Sequence, residues 1–240
     1  MKAYGLTDIG KIRESNQDSF AVSVDGALPV WAVVCDGMGG ANGGYFASST
    51  AVGEFSHGMD ISFEGLKHKQ IENLLCDIVS SANNTVFSAA TKQEELKGMG
   101  TTLVSALVLG DYAYIAHVGD SRAYLVEGDK VKRLTTDHSV VQQLVEIGQI
   151  TEQEARVHPE KNMITRAVGV KEDVQTDTSY VKMKKNSAIL LCTDGLSNYV
   201  EESEIAQIVE DNIHEDAAEK LVALALERGG SDNITAVIIK

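Results

Sequence analysis

The stretch that most constrains the fold is residues 101–135, TTLVSALVLGDYAYIAHVGDSRAYLVEGDKVKRLT. It is rich in β-branched and aromatic residues, which favour strands. Gly-Asp pairs interrupt it at positions 110–111, 119–120 and 128–129, and such pairs are short-turn signals between apolar runs. The pattern predicts an antiparallel β-meander, so the rest of the chain must fold around a sheet.

Shorter apolar segments predict the remaining strands and helices. Strands are predicted at residues 29–35, 188–192 and 234–239, each bounded by Gly, Asp or Asn. Apolar residues at three-and-four spacing predict helices around residues 46–55, 71–79, 205–209 and 221–225. Antiparallel strands with helices gathered in pairs indicate an α+β fold in which helices cover the sheet faces. Without internal repeats or low-complexity linkers, residues 1–240 are predicted to form one domain.

The composition limits the partners and the compartment. The chain has 35 acidic and 21 basic side chains, a formal charge of -14 that disfavours nucleic acid and anionic membranes. It has no apolar leader, and no run approaches the roughly 18 apolar residues of a membrane span. Its 3 cysteines lack CxxC spacing, which is typical of free thiols in a reducing compartment. We therefore predict a cytoplasmic protein that binds neither nucleic acid nor membrane.

Four aspartates lie at the ends of apolar runs. These are Asp36 after AVVC, Asp120 after YIAHVG, Asp194 after AILLCT and Asp232 before NITAVIIK. An aspartate at a strand end is most often a turn former or a helix cap. However, two of these strands deliver the same Asp-Gly pair, in VVCDGMGG and LLCTDGLS. Carboxylate clusters suit hard cations such as Mg²⁺ or Mn²⁺, and the following glycine lets its own carbonyl approach an ion closely.

Residues 32–44, AVVCDGMGGANGG, do not match the common phosphate-binding loops. From Gly37 the dinucleotide register reaches Gly39 but then meets Asn42, and no GK[ST] sequence follows. Cys35 and the aspartate after it point to opposite faces of a strand, which argues against a cysteine metal site. A carboxylate presented to a metal fits the loop better.

Together these segments resemble the metal-dependent protein serine/threonine phosphatases of the PPM class (type 2C), in their compact bacterial form. The resemblance covers nearly the whole chain, and the motifs occur in order. They are TDIGKIRESNQD (7–18), VCDGMGG (34–40), GMGTTLV (98–104), HVGDSRAYL (117–125), HPEKNMITRAVG (158–169), LLCTDGLSN (190–198) and GGSDNITAV (229–237). The resemblance implies a four-layer αββα sandwich, with two antiparallel β-sheets flanked by helices, a metal centre at one edge and a flap at about residues 137–166.

The resemblance also implies the residues of the metal centre. Asp36 is expected to bridge two Mn²⁺ or Mg²⁺ ions, and the Gly37 carbonyl is expected to bind one of them. Asp194 and Asp232 are expected to hold the other ion. Asp18 is expected to lie behind these ligands and to orient a metal-bound water.

Two further positions follow from the same resemblance. Asp120 corresponds to the ligand of a third, weaker metal that it shares with Asp194. Arg13 corresponds to the residue that binds the substrate phosphate, because a guanidinium fork matches two phosphate oxygens. The expected catalytic residues are therefore Arg13, Asp18 and Asp36.

The implied activity is hydrolysis of phosphoserine and phosphothreonine in proteins. Two dications lower the pKa of a bridging water, so a hydroxide can attack the phosphorus directly without a phosphoenzyme. The formal charges of three ligand carboxylates, two dications and one hydroxide sum to zero. The metal centre therefore attracts a phosphate dianion only weakly, and Arg13 supplies the attraction. The expected partners are phosphorylated proteins and a bacterial serine/threonine kinase that the enzyme opposes. The protein is expected to be a monomer.

Two positions depart from the pattern of many relatives. Met38 occupies the place where eukaryotic relatives have His in DGHGG, a proposed general acid, and a thioether cannot donate a proton. Gln17 precedes Asp18 where some relatives have an acid. The residue that protonates the leaving group is therefore unassigned.

Two other classes of function fit the sequence less well. A non-catalytic pseudophosphatase, using the same cleft to sense a partner, would be expected to lack metal aspartates, yet Asp36, Asp194 and Asp232 are all present. A zinc hydrolase would need histidine beside the Asp-Gly pairs, and none lies there. His117 and His138 are expected to be core or hydrogen-bonding residues.

Overall fold

The computed structural model describes residues 1–40 and 43–240 in full, and residues 41 and 42 enter it only as part of a helix. In chain order the elements are β1 (Ala3–Asp8), β2 (Asp18–Val22), β3 (Val30–Met38), α1 (Gly40–Gly58), α2 (His68–Lys92), β4 (Gly100–Thr101), β5 (Leu103–Leu109), β6 (Tyr112–Val118), β7 (Arg122–Glu127), β8 (Lys130–Arg133), α3 (Val140–Glu146), α4 (Glu152–Val157), β9 (Asp177–Lys182), β10 (Ala188–Cys192), α5 (Asp194–Ser197), α6 (Glu202–Asp211), α7 (His214–Glu227) and β11 (Ile234–Ile239). Within the described residues, no helix combines the length and apolar character that a membrane crossing requires.

The strands form two antiparallel sheets. The first sheet has the strand order β1-β11-β10-β7-β8, and the second has the order β2-β3-β5-β6-β9, with β4 paired to β3. Helices α1 and α2 pack on the outer face of the second sheet, and α6 and α7 pack on the outer face of the first. The predicted α+β fold, an αββα sandwich with helices on both sides, is confirmed.

Strand residues are buried on both faces, because one face meets the other sheet and the opposite face meets helices. In β3, Ala32 and Val34 belong to the core between the sheets, whereas Val33 and Cys35 belong to the core under the helices. This double burial explains why the strands read as continuous apolar runs rather than as alternating ones. The same alternation turns Asp36 toward the space between the sheets, at the end of β3.

The predicted meander is divided between the two sheets. Its first and third Gly-Asp turns are two-residue loops that join β5 to β6 and β7 to β8. At the middle turn, residues 119–120, the chain crosses from the second sheet to the first, so that β6 pairs with β9 and β7 pairs with β10. The prediction of one continuous meander is wrong at this turn, because a turn signal does not specify which strand will be the neighbour. Asp120 lies in the crossing.

Residues 137–166, the segment predicted to be a flap, contain α3 and α4. The two ends of the segment meet each other. Ser139 and Ile164 form an isolated β-bridge, and the Thr165 N–H donates to the His138 carbonyl at 2.7 Å. The segment therefore leaves and rejoins the sandwich at one place.

Candidate metal centre

A cavity of about 580 Å³ opens between strand ends from both sheets. The predicted site residues that line it are Arg13, Asp36, Gly37, Asp120, Asp194 and Asp232. Asp18, the remaining predicted residue, is buried and is the cross-strand partner of Asp36. Residues that are far apart in the sequence thus come together at one edge of the sandwich.

Threonines hold the backbone of Asp36 in place. The Thr102 N–H donates to the Asp36 carbonyl at 2.9 Å, and the Asp36 N–H donates to Thr102 Oγ1 at 2.9 Å. Thr101 Oγ1 also donates to the Asp36 carbonyl at 2.9 Å. Because the chain on both sides of Asp36 is fixed, its carboxylate is presented to the cavity in one position.

Gly37 is required by the close approach of two backbone segments. A Cβ at this position would lie 2.0 Å from the Gly44 carbonyl oxygen and 2.7 Å from the Gln17 carbonyl oxygen. The Gly37 N–H donates to the same Gln17 carbonyl at 3.1 Å. The end of β3 is therefore packed against the start of α1 and against the loop before β2, at the floor of the cavity.

Asp194 and Asp232 come from adjacent chain segments of the first sheet. Asp194 begins α5 directly after β10, and Asp232 lies just before β11. A Cβ at Gly195 would lie 1.9 Å from the Asn233 carbonyl oxygen, so the two backbones touch here. This contact brings the two carboxylates to one wall of the cavity. Asn198 Nδ2 donates to Asp194 Oδ2 at 3.2 Å.

Arg13 lies at the mouth of the cavity, in the loop between β1 and β2. Its side chain is about half exposed, at 54%. Arg13 Nη2 donates to Asp232 Oδ2 at 2.7 Å. The guanidinium therefore reaches the carboxylate cluster and keeps further N–H groups for a ligand in the cavity.

Asn233 is a residue that the sequence analysis did not single out. It is buried, and its side chain makes three hydrogen bonds to the loop between β1 and β2. Asn233 Oδ1 accepts from the Gln17 N–H at 2.8 Å, and Asn233 Nδ2 donates to the Ile9 and Ser15 carbonyls at 2.9 and 3.0 Å. It thereby fixes the loop that carries Arg13. The only signal in the sequence is its place beside Asp232, which does not reveal its partners.

Asp120 lies on the cavity wall where the chain crosses between the sheets. The Gly119 N–H donates to His138 Nδ1 at 3.0 Å, so the loop is held from the base of the flap. His138 Nε2 lies 3.1 Å from Asp177 Oδ2, and Arg166 Nη1 donates to Asp177 Oδ1 at 2.7 Å. Both ring nitrogens of His138 are therefore engaged by protein groups.

His117, His138 and Asp177 also form a cluster whose ligand atoms lie within 4.8 Å of one another. His117 Nε2 is 2.9 Å from the Thr136 carbonyl, which can only accept, so this nitrogen donates. The two rings stack with their centroids 4.6 Å apart. With the Arg166 guanidinium beside it, this cluster is a hydrogen-bonded support rather than a cation site.

Burial raises the pKa of the carboxyl groups in the cavity, and their mutual repulsion adds to the effect. The pKa of Asp194 is raised to about 6, that of Asp18 to about 7 and that of Asp120 to about 8. The pKa of Asp36 lies well above its ordinary value, first because of burial and then because Asp18 and Asp194 are close. Carboxylates so arranged stay ionised at neutral pH when cations lie among them.

The residues present fit a centre for divalent metals. Asp18 Oδ1 and Asp194 Oδ1 are buried and have no hydrogen-bond partner in the part of the chain that the structure describes. Buried oxygens are nearly always paired, so these two are candidates for contacts with cations or metal-held water. The donor set of carboxylate and carbonyl oxygens is the one that Mg²⁺ and Mn²⁺ prefer.

A first prediction concerns the chain stripped of metal. Because the folded-state pKa values of Asp194, Asp18 and Asp120 are raised to about 6, 7 and 8, their protonated forms favour the folded state. That stability is complete near pH 4 and is lost as the pH rises through these values. The free energy of unfolding should fall by about 1.4 kcal/mol per pH unit for each group that keeps its proton in the folded state but has lost it in the unfolded chain. Urea unfolding in EDTA between pH 5 and 8 measures this, and saturating Mn²⁺ should abolish the trend.

An αββα sandwich that gathers the carboxylate of buried Asp18 and those of half-buried aspartates from both sheets at one open edge suits a metal-dependent phosphohydrolase. The family model described as protein phosphatase 2C matches residues 11–228. The chain belongs to the protein phosphatase 2C family. The class of enzyme predicted from the sequence, a protein serine/threonine phosphatase, is thereby confirmed.

Individual relatives match over almost their full length. The serine/threonine phosphatase stp of Listeria innocua is 36% identical over 241 residues, covering 100% of this chain and 96% of that protein. The crystal structure of the serine/threonine phosphatase Stp1 from Staphylococcus aureus has a TM-score of 0.91 at 35% identity, covering 99% of this chain and 94% of that chain. The catalytic domain of PstP, in complex with 2 manganese ions, has a TM-score of 0.86 at 30% identity, covering 99% and 96%.

Proposed function

We propose that this protein removes phosphate from phosphoserine and phosphothreonine in proteins, at a centre of two Mn²⁺ or Mg²⁺ ions. The family uses divalent metals and acts on phosphoproteins. The observation that carries the proposal is the convergence of carboxylates from both sheets at one cavity, two of whose oxygens are buried and lack a partner among the described residues. A non-catalytic binding module would have no use for such an arrangement, which destabilises the fold unless cations lie in it.

We propose that Asp36 would be a ligand of both ions and that the Gly37 carbonyl would bind one of them. Asp194 and Asp232 would hold the other ion, and Asp120, together with Asp194, would hold a third, weaker ion. When bound, the ions lower the pKa of a water so that hydroxide is available at neutral pH, and they offset charge that develops on the phosphoryl group.

The remaining work falls to side chains of the chain itself. Asp18, behind Asp36, accepts a hydrogen bond from the attacking water and orients it through its free Oδ1. Arg13, at the cavity mouth, donates to phosphate oxygens with the N–H groups that Asp232 does not use. Met38 lines the cavity but cannot donate a proton to the leaving group.

We also propose the cellular setting. The chain works as one catalytic domain with residues 137–166 as its flap, as a monomer, and opposes a bacterial serine/threonine kinase in the cytoplasm. The support is compositional and comparative: the thiols of Cys35, Cys76 and Cys192 are free, and the similar phosphatases of Listeria innocua and Staphylococcus aureus are bacterial.

An assay with p-nitrophenyl phosphate tests the proposed chemistry. Turnover should vanish in EDTA and return when Mn²⁺ or Mg²⁺ is added in excess. A phosphothreonine peptide, followed by phosphate release, should show the same dependence. Turnover that persists after exhaustive chelation would rule out the metal mechanism.

Replacing Arg13 with alanine should raise KM without removing the metals. Loss of a charge-assisted contact to phosphate costs about 1.5–3 kcal/mol, or about a 10- to 100-fold rise in KM for p-nitrophenyl phosphate. Mn²⁺ affinity, measured by calorimetry, should be kept. Lys11→Ala is the matched control, since it removes an exposed cation from the same loop but outside the cavity lining. Loss of Mn²⁺ binding in Arg13→Ala would contradict the assignment.

The absence of a proton donor at Met38 predicts a preference among leaving groups. An aryl phosphate leaves as a phenolate of low pKa and needs little protonation, whereas the serine alkoxide needs a proton. We expect a higher kcat on p-nitrophenyl phosphate than on a phosphoserine peptide with the same metal. Equal kcat values on the two substrates would indicate that another group supplies the proton.

A further inference from the structure

We infer that Thr193 and Thr235 are positioning residues that hold the Asp18 carboxylate in the orientation required by the metal centre. The inference deepens the proposed function and rests on it, because it concerns a residue that serves the metals. Neither threonine lines the cavity, so neither would touch the substrate.

The two threonines end the apolar layer between the sheets. Side chains of β10 that face this layer are Ile189 and Leu191, and those of β11 are Val237 and Ile239. Thr193 lies two residues after Leu191, and Thr235 lies two residues before Val237; both are completely buried. Valine would continue the apolar pattern at either position with nearly the same shape, so packing alone does not call for a hydroxyl.

Both hydroxyls are committed to a single oxygen atom. Thr193 Oγ1 donates to Asp18 Oδ2 at 2.9 Å, and Thr235 Oγ1 donates to the same Oδ2 at 2.6 Å. These bonds cross from the first sheet to the second. They satisfy Oδ2 and leave Oδ1 as the oxygen without a partner among the described residues. The two threonines therefore hold the carboxylate through Oδ2, and Oδ1 remains available for a further contact.

A directed chain of hydrogen bonds supports Thr235 as a donor, and Thr193 Oγ1 accepts from the Thr235 N–H at 3.0 Å. Because the Thr235 hydroxyl donates its hydrogen to Asp18, its oxygen must accept from the hydroxyl of Thr7, the cross-strand neighbour, at 2.8 Å. Thr7 in turn accepts from Asn16 Nδ2 at 2.9 Å. Asn16 Oδ1 accepts from the Asp18 N–H at 3.1 Å, which closes the loop. Every donor in the chain points toward Asp18 Oδ2, so the orientation of the carboxylate is determined by the network.

The test uses substitutions that keep shape and remove the hydroxyl, namely Thr235→Val and Thr193→Val, beside Thr235→Ser and Thr193→Ser, which keep the hydroxyl. Ser105→Ala is the control, since it removes a buried hydroxyl bonded to a carbonyl in β6, away from the site. Three quantities are measured: the Kd of Mn²⁺ for the metal-free protein, by calorimetry; kcat and KM for p-nitrophenyl phosphate; and the urea midpoint in EDTA.

For the valine variants we expect the Kd of Mn²⁺ to rise and kcat to fall. The two factors multiplied together should reach about tenfold or more, with KM within about twofold of wild type. The serine variants and Ser105→Ala should keep both Kd and kcat. Should neither valine variant fold, Thr7→Val, which leaves both direct donors in place, should give a smaller change in the same direction.

Two results would overturn the inference. The first is that a valine variant, or Thr7→Val in its place, has the same Kd and kcat as Ser105→Ala. The hydroxyls would then serve stability alone, even if the urea midpoint fell. The other is a serine variant that loses as much as its valine counterpart. Failure of the proposed function looks different, since wild type itself would then bind no Mn²⁺ and show no metal-dependent turnover.

Discussion

Replacing Asp36 with asparagine should lower kcat for p-nitrophenyl phosphate by about 10³-fold or more. The amide keeps the shape of the side chain but loses the charge that holds two cations together, and the loss of such a contact is worth several kcal/mol of transition-state stabilisation. Because Thr101 and Thr102 fix the backbone of residue 36, the asparagine side chain should stay in the place of the carboxylate. The affinity for Mn²⁺ should fall as well.

The same substitution should stabilise the chain when metal is removed. The raised pKa of Asp36, caused by burial and by Asp18 and Asp194, means that its ionised form is unfavourable in the metal-free fold. A neutral side chain relieves that repulsion, so the urea midpoint in EDTA at pH 7.5 should rise. Opposite changes in activity and stability are the signature of a residue retained for function.

Asp25→Asn is the control for this experiment. Asp25 is exposed, pairs with Lys2 at 2.8 Å and lies outside the cavity lining. Its substitution should leave kcat within about twofold and change stability by no more than about 1 kcal/mol. An Asp36→Asn variant with wild-type kcat and Mn²⁺ affinity would exclude Asp36 as the bridging ligand.

The second large effect is expected for Gly37→Ala. The added Cβ would meet the Gly44 carbonyl oxygen at 2.0 Å, far inside van der Waals contact, and the Gln17 carbonyl at 2.7 Å. Both are backbone atoms, so the end of β3 must move away from α1 and from the loop before β2. We expect a loss of several kcal/mol in unfolding free energy and loss of metal-dependent turnover.

Gly53→Ala provides a control of opposite sign. Gly53 lies within α1, and a Cβ there would meet no atom within 4 Å. Alanine should stabilise the helix by about 0.5–1 kcal/mol, with kcat unchanged. If Gly37→Ala were as stable and as active as Gly53→Ala, the close approach at Gly37 would not be needed for the site.

Much of the fold could be predicted because burial leaves a direct mark on sequence. Strands β3, β10 and β11 were predicted within a few residues, since double burial makes each a short apolar run with Asp or Asn at or near one end. The crossing at residues 119–120 could not be predicted. Its Gly-Asp signal is the same as at residues 110–111 and 128–129, and the choice of neighbour depends on β9 and β10, more than 50 residues away.

The sequence by itself predicted the candidate site residues: aspartates at the ends of apolar strands, and Arg13 in a nearby motif. Only the tertiary structure decided what supports them. Asn233, Thr193 and Thr235 look like ordinary polar residues near strand ends, and their roles come from partners in other segments. The physical reason is the distance along the chain over which each effect acts. Alternation and turn chemistry act over a few residues, whereas a hydrogen bond between sheets depends on how the completed layers pack.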